Sequence, residues 1–176
     1  MKQANFSLSA VVIHWVLAVS ILFLFLSSWW MLGLPYNEYR VFPFQLHKNI
    51  GLTLALLLAL LLFLRLRHKP EPVAASAMPP WMNKLAVFCN VALYLLIFLA
   101  CLSGYLSTSF SGWGTTLWWL IEMPEWGWED AGLQAFFSEV HVWTCWMLLA
   151  LIVIHVSGAM YHAFRRDGAT KRMLHL

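Results

Sequence analysis

Four histidines lie where a histidine is costly to place. His14, His47, His141 and His155 fall within or at the ends of long apolar segments, out of seven histidines in the chain. Ionisable side chains in such segments are rare and mark functional candidates. Their positions sort them by depth. His14 is near the start of the first segment and His155 near the end of the fourth, while His47 opens the second and His141 opens the fourth. In antiparallel spans this pairs His14 with His155 at one level and His47 with His141 at the other. Fourteen residues separate His141 from His155. At 100° per residue they return to within about 40° of one direction, about 21 Å apart along the helix. That spacing leaves room for two stacked macrocycles, each with an iron between two helices. Neutral imidazole suits iron. An iron with two imidazoles has no open position, so it carries electrons rather than binding oxygen.

Other readings stay open. A single intramembrane histidine often only hydrogen-bonds a neighbour. Zinc is the main alternative metal, but zinc ligands cluster within a few Å, and these pairs are separated by most of a bilayer. Gly51 follows His47 by four residues and shares its face. Gly104 lies late in the third segment and Gly158 follows His155 by three. Glycine permits close approach of a flat macrocycle, and equally permits ordinary small-residue helix packing. Cys89, Cys101 and Cys145 lie in apolar stretches and read as small packing residues. No CxxCH occurs, so covalent c-type haem is not indicated.

These histidines need membrane helices to position them. The 176 residues are 61% hydrophobic and 11% charged, and mean hydropathy is +0.71. Soluble domains carry about a quarter charged residues, so a soluble fold, a disordered chain and a nucleic-acid binder are excluded. The expected fold is an all-α membrane protein, a single domain over 1–176 with a four-transmembrane-helix bundle. The apolar segments run about 8–34, 46–66, 85–106 and 136–164, each long enough to span. The first reads as an uncleaved span, because its apolar run is too long for a signal peptide and no convincing cleavage site follows.

The connections differ. Residues 35–43 read as a short turn and 67–80 as a proline- and alanine-rich linker. Residues 107–134 are long and hold Trp113, Trp118, Trp119, Trp126 and Trp128. Indole favours the headgroup level, so part of this loop is expected to lie flat on the membrane, with TTLWWLIEM as a short interfacial helix. Trp29, Trp30, Trp143 and Trp146 near one boundary and Trp15 and Trp81 near the other read as an anchoring belt.

Charge sets the expected orientation. With the N-terminus in the cytoplasm, Lys2, Arg65, Arg67, Lys69, Lys84, Arg165, Arg166, Lys171 and Arg172 are inside, and only Arg40 and Lys48 are outside. That positive-inside bias puts both termini in the cytoplasm. The outer side carries Glu38, Glu122, Glu125, Glu129, Asp130 and Glu139 and is net acidic. The basic clusters at 65–67 and 165–166 also suit anionic lipid.

IHW at 13–15, H-x3-G at 47–51, LSGY at 102–105 and H-x13-H-x6-H at 141–162 together resemble the bacterial cytochrome b561 family over nearly the whole chain. The resemblance implies a four-helix inner-membrane bundle with two non-covalent haem b groups. His14 and His155 would hold the inner haem iron, and His47 and His141 the outer one. Gly51 and Gly104 would pack against haem. His162 matches a histidine that lies near ubiquinone in a relative; alternatively it is a solvated boundary residue. His68 and His175 are given no role.

The expected function is transmembrane electron transfer through two haems, to or from a membrane quinone, ubiquinone by resemblance. One family member is a superoxide oxidase that passes electrons from periplasmic superoxide to ubiquinone, which makes an oxidoreductase activity the first alternative. Superoxide is an anion, and a cleft of opposite charge would speed its capture; the acidic outer side works against it, with Arg40 and Lys48 as a local basic spot. A second alternative is a cytochrome b anchor for a periplasmic dehydrogenase or hydrogenase, docked on the loop at 107–134. A haem-free transporter or structural protein is the third.

Overall fold

The computed structural model describes residues 8–35, 38–67 and 80–165. It contains four long helices: α1 (Leu8–Leu32), α2 (Val41–Arg67), α3 (Pro80–Ser109) and α4 (Ala131–Arg165), with a short antiparallel hairpin of β1 (Thr116–Leu117) and β2 (Ile121–Glu122) between α3 and α4. Each helix is long and apolar enough to cross a membrane. The shortest, 25 residues, extends about 38 Å at 1.5 Å per residue, more than the ~30 Å hydrocarbon core. Large apolar side chains such as Leu22, Leu56, Phe88 and Val153 point outward, as expected of helices solvated by lipid. The start of α1, the ends of α2 and α4 and the start of α3 form the terminal end of the bundle; the hairpin lies at the other, the hairpin end.

Three of the four helices start before the apolar segments that announce them. α2 starts five residues before position 46, α3 five before 85 and α4 five before 136. Hydropathy marks the hydrocarbon core, whereas backbone hydrogen bonding continues into polar sequence. Pro43, read above as part of a turn, sits in the first turn of α2, where its missing N–H leaves no gap in the ladder. As a result His47 and His141 do not open their helices. His141 is ten residues into α4, about three turns.

α1 packs along α2, α2 along α3 and α3 along α4, whereas α4 meets α1 and α2 only sparsely. One apolar cluster joins Ala10 and Leu17 to Leu54 and Leu61; a second joins Leu58, Ile97 and Leu148. The helix ends are closed by side chains. Arg40 donates to the carbonyls of Met31 and Leu32 at the end of α1, 3.3 Å each, a cation on the negative end of a helix. Asp130 caps α4, its Oδ1 accepting from Leu133 N at 2.9 Å.

The expected interfacial helix at TTLWWLIEM is a hairpin instead. Trp118 and Trp119 have φ of +47° and +60°, and Leu120 N donates to Leu117 O at 3.0 Å. Two consecutive left-handed residues form a primed hairpin turn and cannot continue a helix. Bulky residues adopt that backbone only when their surroundings impose it. Here α2 imposes it. Asn49, fully buried, accepts from Trp118 N through Oδ1 at 2.8 Å. The Trp118 indole N–H donates to Thr53 Oγ1 at 3.0 Å, and Trp119 stacks on Phe42 at 5.9 Å and 8°. Asn49→Ala is therefore expected to leave a Trp118 N–H unsatisfied at a loss of about 1–3 kcal/mol. Hydrogen exchange in the hairpin amides should accelerate while the cores of α3 and α4 stay protected; equal protection in wild type and variant would show that the clamp is not what holds the turn.

Candidate functional site

The structure brings the four histidines together as two pairs. His14 and His155 have ring centroids 6.4 Å apart, at an interplanar angle of 55°. His47 and His141 are 6.3 Å apart at 79°. A metal–imidazole bond is about 2.0–2.1 Å and the ring centre lies about 1.1 Å behind its nitrogen, so two rings clasping one metal ion from opposite sides stand about 6.3 Å apart. Both pairs have that separation. Each joins α4 to a helix it barely touches otherwise, α1 at the terminal end and α2 at the hairpin end. Among the described residues no group of three or more His, Cys, Asp or Glu has metal-site geometry, so each pair stands as two imidazoles rather than as part of a closed tetrahedral site.

The hairpin-end pair is held on several sides. His141 Nδ1 donates to the Ala100 carbonyl on α3 at 2.8 Å. A carbonyl only accepts, so Nδ1 carries the proton and Nε2 keeps its lone pair, the arrangement usual for a metal-binding imidazole. A Cβ at Gly104 would lie 3.0 Å from His141 Nδ1 and 3.1 Å from Cε1. Gly104 thus admits the His141 ring. Cys145 Sγ is 3.6 Å from Nε2, and Cys101 Sγ donates to Gly51 O at 3.4 Å. His47 Nδ1 is buried with no hydrogen-bond partner among the described residues. A cavity of about 420 Å³ opens beside the pair, lined by His47, Gly51, Ala100, Gly104, His141 and Cys145 among others. A Cβ at Gly51 would meet nothing within 4 Å, so that glycine faces open space.

At the terminal end His14 sits edge-on to Trp15, 5.7 Å between centroids. The Arg65 charge acts on both His14 and His155, and its guanidinium lies over the Tyr94 ring at 5.3 Å. Gly158 faces open space. His162 does not join this pair. It lies seven residues beyond His155, about 10 Å along the axis, edge-on to Tyr161, whose hydroxyl accepts from Arg165 at 2.9 Å. His68 and His175 fall outside the described residues.

The two basic side chains of the hairpin end are engaged in structure: Arg40 on the α1 carbonyls and Lys48 Nζ on Gly114 O at 3.3 Å. Glu122, Glu125, Glu129 and Glu139 are exposed there. The sequence reading missed the Ala100 carbonyl, Cys145 and Arg65 as neighbours of the histidines, and Asn49 as the clamp on the hairpin. Asn49, an amide in an apolar segment two residues from His47, carried the same signal of misplaced polarity as the histidines. A backbone carbonyl carries none.

Four membrane helices with paired imidazoles at two levels define the class of integral membrane b-type cytochromes. A family model for prokaryotic cytochrome b561 matches residues 5–176. The chain is also 33% identical over 166 residues to cytochrome b561 homolog 2 of Escherichia coli strain K12, covering 92% of this chain and 86% of that protein. The protein belongs to the prokaryotic cytochrome b561 family. It is a multi-pass bacterial membrane protein that binds haem b and carries electrons across the membrane. The residues present fit haem: ring pairs at the right separation, an orphaned His47 nitrogen and a cavity beside a glycine whose Cβ position is empty.

Proposed function

We propose that the protein is a relay of two haem b groups that moves electrons between the hairpin end, outside, and ubiquinone at the terminal end, with both termini in the cytoplasm. His14 and His155 hold one iron, and His47 and His141 the other. The observation that carries this reading is the near-equal separation of two histidine pairs set 14 residues apart on α4. Haem iron held by two imidazoles supplies reversible one-electron exchange.

The protein's own residues do the rest. α4 fixes the spacing of the two levels. The Ala100 carbonyl orients His141, and Gly104 gives its ring room. Arg65 places a cation near the terminal-end pair. His162, beside Tyr161 and Arg165, offers an N–H to a quinone carbonyl and a group able to pass protons. The described basic residues Arg65, Arg67, Lys84 and Arg165 lie at the terminal end, which supports the orientation.

Because the exposed Glu122, Glu125, Glu129 and Glu139 outnumber Arg40 and Lys48 at the hairpin end, a neutral or cationic donor is favoured over superoxide. An acidic face also suits the alternative in which a periplasmic dehydrogenase docks there. Purified protein reduced by a ubiquinol analogue should show haem b bands, and added ubiquinone should reoxidise it. His162→Ala should slow the quinone reaction about tenfold, a lost hydrogen bond's worth, with haem content unchanged. No quinone-dependent change in the spectrum would contradict the quinone assignment, and fast reduction by superoxide would restore it as donor.

A further inference from the structure

At its hairpin end the cavity beside His47 and His141 changes character. Leu54, Ile97 and Leu148 line it with apolar surface, whereas Thr115 and Lys48 add a hydroxyl and an ammonium to the lining. Thr115 is only 7% exposed, and its hydroxyl has no hydrogen-bond partner among the described residues. Native proteins rarely leave a buried hydroxyl unsatisfied, and doing so costs about 1–3 kcal/mol. The hairpin fixes this residue, since Met123 N donates to Thr115 O at 2.9 Å. Lys48 sits beside it. Its ammonium has three donors and gives one to Gly114 O, the neighbouring carbonyl. Thr108, also on the wall, already bonds Gly104 O at 3.1 Å. The cavity is therefore built for a ligand with an apolar body and an anionic, acceptor-rich edge turned toward the hairpin.

We infer that Thr115 and Lys48 form a carboxylate-binding corner, which receives the carboxylate side chains of the hairpin-end haem and so sets its orientation between His47 and His141. This inference rests on the two-haem reading above. The corner supplies one ammonium and one hydroxyl donor, a charge-assisted pair of the kind that holds carboxylates firmly. It also accounts for the placement of the hairpin, which is clamped through Asn49 and Trp118 to α2 two residues from His47 and brings Thr115 to the cavity wall.

The test uses the full-length, haem-loaded protein and the propionate bending bands of its resonance Raman spectrum. Thr115→Val keeps the side chain's size and removes the donor; the wild-type-minus-variant spectrum should show one propionate band moved to lower frequency. Thr115→Ser should restore it. Lys48→Met should move the same band and lower the midpoint potential of one haem, because the carboxylate charge is then unscreened; Lys48→Arg should not. If Lys48→Met does not accumulate, the Thr115 pair decides. Both haems present with unmoved propionate bands in Thr115→Val would overturn the corner and leave the relay standing. A shift of the wild-type bands on adding formate would show a site for free anions and also overturn it. Wild-type protein lacking the second haem would instead overturn the relay.

Discussion

Replacing His141 by alanine is expected to remove one haem and spare the other. Haem per chain should fall by about half, because the iron of that pair loses one of two axial ligands and keeps only His47 of the pair. His155→Ala should remove the other haem in the same proportion. Either change should slow electron transfer across the bilayer at least about a hundredfold, since even losing a group that only orients a ligand costs 10–100-fold in metal binding or activity. The pairs belong to different helix couples, so loss at one level need not disturb the other. Pyridine-haemochrome quantitation checks the stoichiometry, and imidazole added to His141→Gly should restore part of the missing haem. Unchanged haem content in both alanine variants would break the ligand assignment.

The second large effect is expected at Gly104. A Cβ there stands 3.0 Å from His141 Nδ1, and the ring has little room to yield, being bonded to Ala100 O on one nitrogen and 3.6 Å from Cys145 Sγ on the other. Gly104→Ala asks for a shift of a few tenths of an ångström. Gly104→Leu must displace the ring, and overpacking of this kind costs about 1–3 kcal/mol. The hairpin-end haem should be lost as in His141→Ala, with the terminal-end haem retained. Gly51 provides the contrast. Its Cβ position is empty, so Gly51→Leu should leave the helical fold as stable as wild type and still reduce haem content, because its side chain would enter the cavity. Haem content equal to wild type in Gly104→Leu would show that the ring position is not what the site requires.

The histidine pairing could be read in the sequence because depth follows from helix rise and antiparallel order, which need no tertiary detail. The four spans were legible for the same reason. Helix ends were not: Pro43 reads as a turn residue although it sits in the first turn of α2, and Pro80 and Ala131 begin helices in sequence too polar to register as membrane core. The hairpin was invisible because Trp118 and Trp119 are poor residues for a left-handed turn; their backbone is imposed by Asn49 and Thr53, more than sixty residues away in sequence. Gly104 was legible as a close-approach glycine, but what approaches it is the His141 ring. Cys101 and Cys145, read as packing residues, line the cavity beside the histidines, a placement that depends on how α3 rotates against α4.

Axial ligation of the purified protein, read by near-infrared magnetic circular dichroism alongside haem quantitation, tests the relay most directly. Two haem b per chain, both low-spin with paired imidazole ligands, are predicted. A single haem, or any haem bound by histidine and a different ligand, would contradict it.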